Sequence, residues 1–146
     1  MKHPKYPVAI VLLFVVLGPP LGAVTLTLII TGEMLWSASL PDAASMTIIA
    51  LMYGLPMSYI LGGIQALVLG IIAAFYVRER QTLSYHFMIT LSLIAAALYT
   101  SNFYGMLLGL AHTDFVLTAS LWLAHLVPTV VLTRMIRKQY RLRYDV

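Results

Sequence analysis

The chain has 146 residues, 61% of them hydrophobic and 10% charged, with nine Lys and Arg, five Asp and Glu and no cysteine; its mean hydropathy is +0.92. A water-soluble globule carries about a quarter charged residues, so the composition excludes a soluble domain and points to an integral membrane protein with room for about four spans. The lack of cysteine excludes disulfides, thiol nucleophiles and cysteine-held metals.

The first apolar run, residues 8–31, carries GPPLGA at 18–23 in its middle. Prolines supply no N–H, so the carbonyls near Val15 and Val16 lose their helical donors in a solvent that offers no replacement. The run reads as a kinked helix whose freed carbonyls are met by neighbouring side chains. The alternative is a helix broken at Gly18, Pro19 and Pro20, of the kind that builds midplane sites in transporters. Lys2 and Lys5 ahead of the run imitate a signal peptide. Leu21 is a poor match to the small residue that cleavage wants, and VTLTLII continues the apolar run, so the expectation is a retained span.

The second run, 44–77, would be about 50 Å long as one helix, against a hydrocarbon core of ~30 Å. Ser39 or Asp42 is placed to cap a short helix, Gly54 to end it and Pro56 to open a new one. The expectation is a short helix over 41–53 on the periplasmic side, followed by a span over 57–77; one tilted, kinked helix is the competing reading. Within the span, Ser58, Gly62, Ala66, Gly70 and Ala74 recur at every fourth position, a stripe that lets another backbone come close. The third span, 84–111, repeats the device with Ala97, Ser101, Gly105 and Gly109. Packing within one chain and packing between copies both remain open. A fourth span over 115–136 leads into a basic tail at 137–146.

Polar residues inside the spans are few: Gln65 in the second, Asn102 in the third and His125 in the fourth. Thr118, Trp122 and Thr129 share the helical face of His125, and such a face points inward. One reading is helix–helix hydrogen bonding, at about 0.6–2 kcal/mol each. The other is a polar path or proton-sensitive site centred on His125, since imidazole titrates near neutral pH. Pro128 frees the carbonyl of Ala124 beside it. No carboxylate lies deep in a span, and His86 and His112 stand at opposite ends of the third helix, so neither acid–base chemistry nor a metal or other cofactor is expected. Tyr6, Tyr76 and Tyr85 at one face, with Trp36, Tyr53 and Tyr59 at the other, read as aromatic belts.

All nine Lys and Arg fall at the N-terminus, in the turn holding Arg78 and Arg80, or in the tail. Four crossings put these three places on one side, and the positive-inside rule makes that side, with both termini, cytoplasmic. At the end of the fourth span and in the tail, Arg134, Arg137, Lys138, Arg141 and Arg143 suit anionic lipid headgroups or an acidic cytoplasmic protein, with no direct role for nucleic acid.

GPPLGA at 18–23 followed by YILGGIQALVLG at 59–70 resembles small four-helix proteins of bacterial inner membranes. The likeness covers about the first half of the chain, and the chain departs from that pattern at Gln65, where the pattern carries a proline. The resemblance implies a bacterial inner membrane and a four-span architecture, and no activity. Some four-span proteins of this size are membrane components of antiphage defence systems such as Kiwa. The sequence as a whole is therefore read as an all-α polytopic membrane protein, a single domain over 1–146. The expected function is that of a non-enzymatic subunit that forms homo-oligomers and anchors, senses or gates for a cytoplasmic partner. A small channel or transporter using Gln65, Asn102 and His125 is the alternative.

Overall fold

A computed structural model of the chain describes residues 7–37, 39–80, 82–100 and 115–144. These residues form four helices and no strand: α1, Pro7–Ser37; α2, Leu40–Arg80; α3, Tyr85–Leu98; and α4, Phe115–Tyr144. Three of them, α1, α2 and α4, are long and apolar enough to cross a membrane. The described residues are thus all-helical, as a membrane protein's would be. Of the third predicted span, residues 84–100 are described and hold the 14 residues of α3; Ser101, Asn102, Gly105 and Gly109 lie outside the described residues.

The helical backbone runs unbroken through Pro19 and Pro20 in α1 and through Pro56 in α2. This corrects one expectation and sets one alternative aside. Gly18, Pro19 and Pro20 are not a helix break, and the separate helix over 41–53 is the first part of a single 41-residue α2. The physical reason lies in the solvent. Ending a helix strands up to four carbonyls and starting the next strands up to four N–H groups, whereas an internal proline strands one carbonyl. Where water is scarce, continuing the helix is the smaller loss. The start of α2 follows the expected cap: the amide of Asp42 donates to Ser39 Oγ, and the Ser39 hydroxyl donates back to the Asp42 carboxylate.

α1 packs mainly on α2 and then on α4, while α3 packs on α4 and barely meets α2. The densest packing joins Ile10 and Phe14 of α1, Leu69, Ala73, Ala74 and Val77 of α2, Leu83 and Met88 beside and in α3, and Leu132 and Ile136 of α4. Tyr76 stacks on Phe87 alongside, with ring centroids 4.5 Å apart. Those residues stand at the start of α1 and α3 and toward the end of α2 and α4, so neighbouring helices run antiparallel. The same end gathers the described basic residues. Arg137 lies over the ring of Tyr85 at 4.7 Å, and Arg78, Arg80, Arg134 and Lys138 are exposed.

α4 runs to Tyr144, so most of what reads as a basic tail is the continuation of the last apolar helix. At the other end of the bundle α1 and α2 are joined by a hydrogen bond between the hydroxyls of Thr31 and Thr47, 2.8 Å apart. Trp36 there is 95% exposed.

Candidate functional site

GPPLGA is where α1, α2 and α4 meet. Pro20 deprives the Val16 carbonyl of its donor, since a helical carbonyl accepts from the residue four ahead. The hydroxyl of Tyr59 in α2 donates to that carbonyl at 2.8 Å. Tyr59 was expected in an aromatic belt; it supplies the bond that the proline removed. Pro128 in α4 does the same to Ala124, and there the relief comes from Gly22. A Cβ built on Gly22 would stand 2.9 Å from the Ala124 oxygen, so only the glycine hydrogens fit against that carbonyl, an arrangement suited to a weak Cα–H···O contact. Gly18 faces Ala66 of α2, 3.3 Å from where its own Cβ would be, with Leu132 of α4 at 3.9 Å.

The small-residue stripe of α2 divides at this junction. Ala66, Gly70 and Ala74 are buried, and a Cβ on Gly70 would lie 3.0 Å from Phe14 Cβ and 3.1 Å from Val11 Cα. This half of the stripe packs within the chain, against α1. Among the described residues, a Cβ on Gly62 would meet nothing within 4 Å, and the same is true of Gly54.

Gly62 and Gly54 border a half-open cavity of about 350 Å³ between α1, α2 and α4. Gly18, Pro19 and Gly22 of α1, Ser58, Gln65 and Ala66 of α2, and His125, Pro128 and Thr129 of α4 all contribute to its wall. The structure therefore brings together Gln65 and His125, two of the three intramembrane polar residues singled out by sequence. It adds Thr27 of α1, which is 5% exposed.

The His125 face of α4 is held by hydroxyls. Ser92 of α3 donates to the His125 carbonyl at 3.1 Å, and Thr129 Oγ1 lies 2.9 Å from the same carbonyl and 3.1 Å from Ser92 Oγ. The Tyr99 ring stands 6.2 Å from the imidazole. Trp122 Nε1 donates to Thr100 Oγ1 at 3.2 Å. Ser92 and Thr133 are fully buried, yet a single hydroxyl in an apolar helix carries no sequence signal that marks it out.

Gln65 is different. It is 4% exposed, and among the described residues neither its Oε1 nor its Nε2 has a hydrogen-bond partner. Among the described residues, no three of His, Cys, Asp and Glu gather where they would hold a metal ion. Ala97 is half-buried on α3; Arg141 and Arg143 lie on the last turns of α4, beyond the described side chains. Set against protein-family models, curated proteins and solved structures, the chain matches none of them.

Proposed function

We propose that the chain is a non-enzymatic subunit of a bacterial inner membrane, associating with further copies of itself and anchoring or gating a cytoplasmic protein through the basic end of the bundle. The observation that carries this reading is the continuity of α4. Leu132 and Ile136 are locked into the dense packing at that end, and the same helix proceeds without interruption past Arg137 and Lys138 to Tyr144. A rigid helix that starts among the other spans and ends in a cluster of cations transmits a shift of the bundle to whatever the cations hold. In this reading both termini face the cytoplasm, where short basic segments are retained. Four spans, with defence as one biological setting, follow from the same proposal.

The test is purification from the native host in mild detergent or native nanodiscs, with native mass spectrometry of what accompanies the chain. A homo-oligomer holding a second, soluble protein is the expected result. Neutralising Arg134, Lys138, Arg141 and Arg143 together should release that protein; retention of the partner by this variant would overturn the assignment of the basic end.

A second reading, a small channel or transporter, is favoured by one observation: the cavity that Gln65 and His125 share. Reconstitution into liposomes separates the two. Solute flux that disappears when both are replaced by leucine, with assembly intact, supports transport, and unchanged flux removes it.

A further inference from the structure

The cavity raises a question that neither anchoring nor gating answers. Gln65 buries both ends of a carboxamide without a partner for either, which forfeits the hydration of a donor and an acceptor together. Leucine at the same place would preserve the helix and avoid that loss. Natural structures leave few such groups, and those that remain call for a reason.

The wall around Gln65 defines what would supply the missing partner. Among the described residues no Asp, Glu, Lys or Arg contributes to it, so a charged molecule would enter without a counter-charge from them in a medium that penalises one severely. Leu26 and Ile30 of α1, Met57 and Leu61 of α2 and Leu121 of α4 make most of the surface hydrocarbon. Hydrocarbon dominates the wall despite its few polar groups, so an occupant with a hydrocarbon body fits it better than water does. The open sector is real space: side chains at Gly54 and Gly62 would meet nothing within 4 Å.

We propose that this cavity binds a neutral, single-chain, lipid-soluble molecule, its hydrocarbon body lying along the Gly54–Gly62 wall and its hydroxyl or protonated carboxyl head paired with the Gln65 carboxamide. Either head both donates and accepts, which is what the two ends of a carboxamide require. The amide atoms are shielded from water by the wall itself, so the head reaches them through a rotamer change of a side chain with three torsions. The inference is independent of what the basic end holds.

The two head groups correspond to two sources, a long-chain alcohol and a free fatty acid, and three photoreactive probes of equal chain length distinguish them: the alcohol, the acid and the bare hydrocarbon, each carrying a diazirine. The full chain is reconstituted in phosphatidylcholine–phosphatidylglycerol nanodiscs, irradiated with each probe and mapped by peptide mass spectrometry. Labelling near Leu26, Leu61 and Leu121 by the alcohol or the acid should exceed that by the hydrocarbon by about tenfold, the equilibrium worth of one hydrogen bond. The preferred head identifies the source. Gln65→Leu should remove that preference, and Gly62→Leu, whose side chain fills the open sector, should abolish labelling by all three.

Without any probe, Gln65→Leu should melt at a higher temperature than the parent, because it discards an unsatisfied amide. Equal labelling by all three probes, or a preference that survives Gln65→Leu, would overturn the proposal. So would a lower melting temperature for Gln65→Leu, which would make the amide a structural partner and not a binding group.

Discussion

Gly62 and Gly70 stand about two turns apart on one face of α2, and their surroundings are opposite. At Gly70 the backbones of α1 and α2 come so close that an added methyl group would press on Phe14 and on the Cα of Val11. At Gly62 an added methyl would meet none of the described residues within 4 Å. The residue type, the spacing and the helix are the same. The difference is what stands opposite: the α1 backbone at Gly70, and the cavity at Gly62, with α1 and α2 joined again beyond it through Thr31 and Thr47. A small-residue stripe therefore reports where helices are able to approach, not that they do so along its whole length.

That contrast can be broken from its closed side first. Gly70→Val should be the most damaging single change, costing about 3 kcal/mol or more, because a branched side chain has to displace backbone and not a flexible tip. Unfolding by SDS titration in mixed micelles would register it as an early transition. Gly22→Ala comes next, at about 1–3 kcal/mol by the same overpacking argument, since its Cβ would fall 2.9 Å from the Ala124 oxygen. A shift in the α1–α4 distance, measured between spin labels on the two helices, should accompany the loss. Tyr59→Phe keeps the ring and removes the bond to Val16, and should cost about 1–2 kcal/mol in the same titration. At the open side the sign reverses: Gly62→Ala should stabilise by about 0.5–1 kcal/mol, because alanine is the better helix former and nothing opposes its methyl. A Gly62→Ala variant as unstable as Gly70→Val would erase the distinction between the two halves.

Composition and hydropathy were enough to read an all-helical membrane protein, because long continuous apolar runs, unlike the short alternating segments of a barrel, satisfy the backbone in lipid as helices. They were not enough to place the helix boundaries. Gly54 and Pro56 read as punctuation by rules learned in water, and α2 passes through both. The basic residues after Ile136 read as a tail because charge marks the membrane edge, but charge does not end a helix, and α4 continues to Tyr144.

At the site, the polarity of Gln65 and His125 was visible against their apolar neighbours, while their meeting in one cavity depends on how three helices lean. Counting back four from Pro20 names Val16 as the needy carbonyl. Nothing local names Tyr59 as its donor, because the match between them is one of depth in the membrane. Ser92 shows the same limit: an ordinary serine in the sequence, it is fully buried and fastens α3 to the His125 carbonyl of α4.

The bond from Tyr59 to Val16 spans 43 positions of the chain, and that separation bears on biogenesis. A ribosome delivers α1 to the insertion machinery well before Tyr59 emerges, so a lone α1 enters lipid with a carbonyl it has no means to satisfy. It therefore gains from waiting beside the translocon until α2 arrives, and the two then leave as a hairpin. In this light Pro20 ties the first helix to the second: the donor that replaces its missing N–H lies on α2, 43 positions later, so a hairpin of the two meets a need that α1 alone would leave open.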